Sequence, residues 1–144
     1  MKALQPGKRQ SRVARKKRVL RLLVVEDHAD LRATLTTFLR ALGCQARFVE
    51  DMAAALRVGG TEDFDVLLSD IGLPDGDGWE LLRQLEAAGR RPVYAIAMSG
   101  FGLSEDAARS KAAGFALHLV KPFEPEDLEK ALLDAQARVF AATA

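Results

Sequence analysis

The stretch that decides the fold is residues 64–89, whose sequence is FDVLLSDIGLPDGDGWELLRQLEAAG. It begins with an apolar run at 64–68, which predicts a strand buried on both faces. The segment 73–78 is rich in turn-forming residues, and 79–88 then predicts a helix that Gly89 ends. A buried strand followed by a turn and a helix is the repeating unit of α/β proteins.

Four similar units flank this one. Their predicted strands are 19–25, 44–49, 92–98 and 115–120, and their predicted helices are 30–42, 51–58, 104–113 and 125 to about 140. Gly43, the pair Gly59-Gly60 and Gly114 stand where three of these helices are expected to end. Five strand–helix units in succession predict an α/β domain with a parallel sheet and helices on both faces.

Charge is distributed unevenly along the 144 residues. Residues 1–18 contain eight basic residues and no acidic one. The whole chain has 21 basic and 20 acidic residues, so 19–144 contain 13 basic and 20 acidic and carry a net charge of −7. We therefore expect a flexible basic leader at 1–18, one domain at 19–140 and a short tail at 141–144. An acidic domain binds nucleic acid poorly, and only the leader is a candidate for that role.

The composition excludes several classes of protein. Hydrophobic residues make up 49% and charged residues 28% of the chain, as in a globular domain. The single cysteine, Cys44, cannot form an internal disulfide, which favours a reducing compartment and a cytoplasmic location. No apolar run approaches the roughly 18–20 residues of a membrane helix, and the amino terminus lacks the apolar region of a secretion signal. We expect neither a membrane-spanning nor a secreted protein.

Chemically useful side chains stand at the ends of four predicted strands. They are Glu26 and Asp27 after the first strand, Asp70 after the third, Ser99 after the fourth and Lys121 after the fifth. The carboxyl ends of parallel strands meet at one edge of a sheet, where ligands of such folds bind. We expect these five side chains to lie close together.

Three neighbouring carboxylates repel one another unless a cation joins them. Carboxylate oxygens suit Mg²⁺ or another divalent cation. A carboxylate beside such an ion can attack phosphorus and form an acyl phosphate. Phosphoryl transfer needs mainly positioning and neutralisation of charge, which the ion, Lys121 and Ser99 would supply. These residues predict phosphorylation of an aspartate.

The sequence resembles the receiver domain of bacterial two-component response regulators over about 19–138. Four stretches carry the resemblance: LLVVED at 22–27, LLSDIGLPDGDG at 67–78, AMSG at 97–100 and VKPF at 120–123. Each is weak alone, but the four in this order, each at a strand end, are specific. The resemblance implies a flavodoxin-like (βα)5 doubly wound sheet with strand order 2-1-3-4-5.

The resemblance also implies roles for these residues. Asp70 is the expected phosphoacceptor. Glu26, Asp27 and Asp70 are expected to hold Mg²⁺ together with the backbone carbonyl of Gly72, where the family often has a residue with a side chain. The lifetime of the phosphoaspartate, which side chains at Gly72 and Phe101 would influence, is left open.

Three further residues complete the implied site. Ser99 and Lys121 are expected to contact the phosphoryl group, and the Lys121–Pro122 peptide bond is expected to be cis. His118 stands where the family commonly has Tyr or Phe as a switch residue, so Ser99 and His118 form the predicted switch.

The resulting functional hypothesis is a signalling phosphoacceptor. A histidine kinase or phosphotransfer protein would donate the phosphoryl group, and the altered surface would bind a downstream protein. The resemblance also allows a homodimer through the fourth helix, fifth strand and fifth helix. Self-phosphorylation from small donors and self-dephosphorylation are the only enzymatic reactions expected, with no membrane partner.

Two alternatives remain open. One is a Mg²⁺-dependent phosphohydrolase that forms an aspartyl phosphate, although Gly72 stands where such enzymes carry a second acid. The other is nucleic-acid binding through the basic leader. A nucleotide- or flavin-binding module is disfavoured because residues 100–102 lack the third glycine of the dinucleotide fingerprint.

His28 lacks a second ligand at suitable spacing, and Trp79 is expected to pack against the loop after Asp70.

Overall fold

A computed structural model describes residues 19–100 and 104–143. Within them the chain forms seven strands and five helices. The strands are β1 (Arg21–Val25), β2 (Gln45–Val49), β3 (Val66–Asp70), β4 (Gly72–Leu73), β5 (Gly76–Asp77), β6 (Tyr94–Ser99) and β7 (Leu117–Val120). The helices are α1 (Ala29–Ala41), α2 (Met52–Thr61), α3 (Gly78–Ala87), α4 (Ser104–Ala113) and α5 (Pro125–Thr143). The leader at 1–18 and Phe101 lie outside the described residues.

Five of the strands form one parallel sheet in the order β2-β1-β3-β6-β7. Counted without the short antiparallel hairpin of β4 and β5, this is the order 2-1-3-4-5, so the predicted fold is confirmed. The strand that follows β1, which is β2, is added on one side of it, whereas the strands that follow β3, which are β6 and β7, are added on the other side. The order in which strands are added therefore reverses between β1 and β3. Such a reversal opens a crevice at the carboxyl ends of these two strands, where a ligand can enter.

The sheet separates two apolar cores. Leu22 and Val24 of β1 face the core covered by α1 and α5, whereas Leu23 and Val25 face the core covered by α2 and α3. Because successive strand side chains point to opposite faces, a strand buried on both sides must be apolar at every position. Packing in both cores holds each strand in place along its own axis and so determines where the end of the strand reaches solvent.

Glycine marks helix ends at three of the four expected places. Gly43, Gly89 and Gly114 have φ values of +79°, +72° and +111°, a conformation that favours glycine. The prediction that α2 ends before Gly59-Gly60 is wrong, because the helix continues to Thr61. A Cβ at Gly59 would lie 2.9 Å from Cδ2 of Leu85, so this glycine allows α2 to pack closely on α3.

Two other boundaries differ from the predictions. Strand β3 extends to Asp70, which makes the aspartate the last residue of the strand rather than a loop residue. Helix α5 continues to Thr143, past the expected end near residue 140 and into the predicted tail at 141–144. None of the helices in the described ranges combines the length and apolar character needed to cross a membrane.

Candidate functional site

The crevice between β1 and β3 collects the predicted site residues. Glu26 and Asp27 follow β1 directly, Asp70 ends β3, and Lys121 follows β7. Ser99 ends β6, and its backbone oxygen accepts a hydrogen bond of 2.7 Å from the backbone nitrogen of Lys121. Four adjacent strands therefore deliver all five side chains to one edge of the sheet. The Lys121–Pro122 bond is cis, as predicted.

Lys121 joins the ends of three strands. Its Nζ donates to Oε1 of Glu26 at 2.8 Å and to Oδ2 of Asp70 at 2.9 Å. The side chain of Glu26 is fully buried, that of Asp70 is 8% exposed and that of Lys121 is 18% exposed. Charge-assisted hydrogen bonds of this kind are stronger than neutral ones. We call Glu26, Asp27, Asp70 and Lys121 the carboxylate cluster.

The charges within this cluster are unequally compensated. Burial is the largest influence on Glu26 and opposes its charge, but hydrogen bonds from Lys121 and His28 outweigh it and lower the pKa of Glu26. Burial also dominates at Asp70, where the charges of Glu26 and Asp27 add to it against Lys121 and the pKa of Asp70 is raised. For Lys121, the two carboxylates overcome burial and raise the pKa of the ammonium. Asp70 is thus a less stabilised carboxylate than Glu26.

The cluster has the donor atoms of a divalent-cation site. Glu26, Asp27, His28 and Asp70 each offer one ligand atom, and these four atoms lie within 4.8 Å of one another. Among the described residues, Oδ1 of Asp27 is buried and accepts no hydrogen bond, and its nearest cationic neighbour is Nδ1 of His28 at 3.4 Å. A buried acceptor without a partner is costly, and a cation would remove that cost. The oxygen-rich donor set fits Mg²⁺.

The contact between His28 and Glu26 was not predicted from the sequence. Although its side chain is 73% exposed, its backbone nitrogen and Nδ1 both lie 3.0 Å from Oε2 of Glu26. Both carboxylate oxygens of Glu26 are therefore engaged, one by Lys121 and one by His28. Asp27 is consequently better placed to bind a cation directly. The position of His28, two residues after Glu26, was the available signal.

The backbone of Asp70 is held by a glycine that the sequence motif contains. The backbone nitrogen of Gly78 donates to the carbonyl of Ile71 at 2.8 Å. A Cβ at Gly78 would lie 2.7 Å from the carbonyl oxygen of Asp70, so no larger residue fits without moving that backbone. At Gly72, by contrast, no described atom lies within 4 Å of a Cβ position, and the role of its carbonyl stays a prediction.

The hairpin after Asp70 is anchored to α2. Asp75 lies between β4 and β5, and its two carboxylate oxygens accept hydrogen bonds from the backbone nitrogens of Met52 at 2.7 Å and Ala53 at 2.9 Å. These hydrogen bonds lower the pKa of Asp75. The amino terminus of a helix attracts a carboxylate in this way, and the contact holds the segment after Asp70 in place.

The predicted switch residues are in direct contact. Nε2 of His118, on β7, lies 2.8 Å from Oγ of Ser99. His118 is half-buried, and its Nδ1 lies 2.8 Å from Oγ of Ser110 on α4. Ser110 was not predicted as part of the site, because nothing in the local sequence connects it with His118.

The fold agrees with comparisons to known proteins. Residues 22–133 match the model of the response regulator receiver domain. The chain belongs to this family, the receiver domains of two-component response regulators. It is a signalling domain.

Two curated relatives illustrate the match. The KDP operon transcriptional regulatory protein KdpE of Escherichia coli is 34% identical over 123 residues, which are 85% of this chain and 54% of KdpE. The virulence sensor protein BvgS of Bordetella bronchiseptica is 34% identical over 125 residues, 83% of this chain and 10% of BvgS. The chain thus spans about half of one relative and a tenth of the other.

Solved structures agree. The receiver domain of the sensor histidine kinase PA1611 from Pseudomonas aeruginosa, with a magnesium ion coordinated in its active-site cleft, is 30% identical with a TM-score of 0.72. The match covers 85% of this chain and 98% of that domain. A CheY-like receiver domain protein from Methanospirillum hungatei is 26% identical with a TM-score of 0.74, covering 84% and 97%.

Proposed function

We propose that Asp70 accepts a phosphoryl group from a phosphohistidine of a sensor kinase or phosphotransfer protein. The observation that carries this proposal is the contact of Lys121 with both Asp70 and Glu26 at the end of the central strand. The ammonium can follow the new negative charge onto the phosphoryl group while it stays bound to Glu26. Of Glu26 and Asp70, Asp70 is the carboxylate whose negative charge is less well compensated by its neighbours. A carboxylate with a pKa perturbed in this way is typical of a reacting group.

The chemical step is an exchange of one bond at phosphorus. A carboxylate oxygen of Asp70 attacks the phosphorus, and the P–N bond to the donor imidazole breaks with its electron pair returning to the ring. Phosphoryl transfer depends mainly on positioning and on neutralising the equatorial oxygens. Lys121 supplies one positive charge, and the hydroxyl of Ser99 donates a hydrogen bond to a phosphoryl oxygen.

The carboxylates are proposed to hold Mg²⁺ beside Asp70. Asp27 and Asp70 would bind it directly, with Glu26 and the carbonyl of Gly72 completing the site. When bound, the ion neutralises the carboxylates and the incoming phosphoryl oxygens. The buried Oδ1 of Asp27, which accepts no hydrogen bond from the described residues, supports this proposal.

We propose that a protein phosphodonor docks in an apolar cleft of this domain next to the site. The cleft has a volume of about 450 Å³ and lies between α1 and α5, with Lys121 in its wall. A donor helix with an apolar face would place its phosphohistidine near Asp70. Thr34 is exposed and lines the cleft, so Thr34→Arg should slow phosphorylation by the kinase while leaving labelling by acetyl phosphate unchanged. Thr37→Arg, on an exposed position of α1 outside the cleft, is the control.

The output surface is proposed to lie around β7, the edge strand that carries the switch residue His118. Leu117 and Val120 of β7 expose 39% and 42% of their surface. A downstream protein or a second copy of this chain would cover them together with α4 and α5. We expect no turnover of external substrates, and the location we expect is the cytoplasm.

Mass spectrometry after incubation with Mg²⁺ and acetyl phosphate tests the phosphoacceptor. We expect one added phosphate on the wild type and none on Asp70→Asn. Asp30→Asn, an exposed aspartate of α1 outside the carboxylate cluster, should label like the wild type. A phosphate on the Asp70 variant would assign the reaction to another residue.

A further inference from the structure

Four side chains on four different elements form a continuous hydrogen-bonded relay. Nε1 of Trp79 on α3 lies 2.9 Å from Oγ of Ser110 on α4. Ser110 lies 2.8 Å from Nδ1 of His118, whose Nε2 lies 2.8 Å from Oγ of Ser99. We call Ser99, His118, Ser110 and Trp79 the relay. It begins beside the carboxylate cluster and ends between two helices on one face of the sheet.

The direction of the hydrogen bonds follows from the donors. An indole N–H is only a donor, so Ser110 accepts from Trp79. Ser110 is fully buried, and within the described residues its hydroxyl contacts only Trp79 and His118. A buried hydroxyl hydrogen without an acceptor is costly, so Ser110 donates to Nδ1 of His118.

This direction selects one tautomer of the neutral imidazole. With Nδ1 as the acceptor, the ring hydrogen lies on Nε2, which donates to Oγ of Ser99. Ser99 then does not use its own hydrogen in the contact with His118. With the opposite tautomer, that hydrogen would be directed at Nε2 of His118 and would point away from the phosphoryl group.

We propose that Ser110, whose hydroxyl also accepts from the indole of Trp79, is a positioning residue that by itself fixes the tautomer of His118 so that the hydroxyl of Ser99 donates to the phosphoryl oxygen on Asp70. The proposal rests on the proposed function of Asp70 and Ser99. Every donor in the relay then points towards Asp70, and hydrogen bonds aligned in one direction strengthen one another.

The far end of the relay is itself held in place. The guanidinium of Arg109, an exposed residue of α4, lies 4.0 Å from the centroid of the Trp79 ring. Trp79 therefore contacts two consecutive residues of α4, Arg109 through its face and Ser110 through its N–H. A movement of Ser99 towards the phosphoryl group would be transmitted through His118 and Ser110 to this contact.

NMR of histidine labelled with ¹⁵N tests the tautomer directly, with Mg²⁺ alone and with Mg²⁺ and beryllofluoride as the phosphoryl mimic. In both samples of the wild type we expect Nδ1 of His118 to be an acceptor nitrogen and Nε2 to carry the hydrogen. Ser110→Ala should give a mixture of both tautomers, because neither then satisfies Nδ1. Lys111→Ala, an exposed neighbour on α4, should retain the wild-type spectrum.

Two further variants separate positioning from simple packing. Trp79→Phe removes the indole donor but leaves Ser110 with His118 as its acceptor, so the tautomer should stay as in the wild type. Ser110→Thr keeps the hydroxyl and should give the wild-type tautomer. If Ser110→Ala populates the two tautomers equally, half of the molecules are competent, and calorimetry should show about twofold weaker binding of beryllofluoride.

The outcomes distinguish this inference from the proposed function. A hydrogen on Nδ1 of His118 in the wild type, or an unchanged tautomer in Ser110→Ala, would overturn the positioning role even if Asp70 binds beryllofluoride normally. If beryllofluoride does not bind the wild type, the proposed function is wrong, and the tautomer measured with Mg²⁺ alone still decides whether Ser110 sets it.

Discussion

The carboxylate cluster and the relay occupy the same edge of the sheet, but different forces hold them. The cluster consists of charged groups that stand at strand ends, with one ammonium shared by two buried carboxylates. The relay consists of neutral donors and acceptors, and two of its members come from helices. Charge makes the cluster sensitive to any loss of a partner, whereas the relay depends on the direction of its hydrogen bonds. We expect substitutions in the cluster to change stability most.

The largest effect is expected for Lys121→Met. The variant leaves Glu26 and Asp70 buried without their shared cation, and loss of one partner from a buried ion pair costs about 3–5 kcal/mol of unfolding free energy. Urea denaturation at neutral pH measures the difference. Lys130→Met, at an exposed position of α5, should change stability little. A loss below about 1 kcal/mol would show that the ion pair is weaker than a neutral hydrogen bond.

Gly78→Ala tests the backbone that carries Asp70. The added Cβ meets the carbonyl oxygen of Asp70 at 2.7 Å, and a clash with backbone cannot be relieved by a rotamer. We expect a loss of about 1–3 kcal/mol, together with slower labelling by acetyl phosphate. Gly60→Ala in α2 is the matched control, because among the described residues no atom beyond its chain neighbours and its own helix backbone lies within 4 Å of its Cβ position. It should stabilise the protein by about 0.5–1 kcal/mol, since alanine is the better helix former.

Mg²⁺ tests whether the cluster is a cation site. At a concentration ten times its dissociation constant, an ion that binds only the native state adds about 1.4 kcal/mol. Thermal melting with and without Mg²⁺ should show this gain in the wild type and a much smaller gain in Asp27→Ala. Ser110→Ala should retain the full gain, because Ser110 belongs to the relay and not to the carboxylate cluster. Comparing this variant with Asp27→Ala therefore separates the effect of charge from that of hydrogen bonding. Equal gains in the wild type and in Asp27→Ala would show that Asp27 is not a ligand.

The sequence predicts the carboxylate cluster well because each member stands beside a strand end. Apolar runs locate the strands, the order of the units gives the sheet, and topology then brings Asp70 and Lys121 together. The end of α2 was predicted wrongly at Gly59 because the sequence shows only the tendency of glycine to end a helix. In the structure this glycine instead allows the close approach of Leu85. Ser110 was not predicted, and Trp79 was expected only to pack against the loop after Asp70, because only the docking of α3 and α4 brings Trp79 to Ser110 and Ser110 to His118.

The smallest effect concerns Asp75, whose charge is exposed, and it tests whether charge alone gives the cluster its sensitivity. Backbone hydrogen bonds from Met52 and Ala53 lower the pKa of Asp75 in the folded protein. A carboxylate with a lowered folded pKa stabilises the fold above its ordinary pKa and loses that contribution as the pH falls through the folded value. Asp75→Asn should therefore reduce stability slightly at neutral pH and make it less dependent on pH in the acid range. Urea denaturation across that range measures the slope, and Asp30→Asn, at an exposed aspartate whose carboxylate makes no hydrogen bond or ion pair with the described residues, is the control. A loss at neutral pH as large as that of Lys121→Met would show that burial is not what distinguishes the carboxylate cluster.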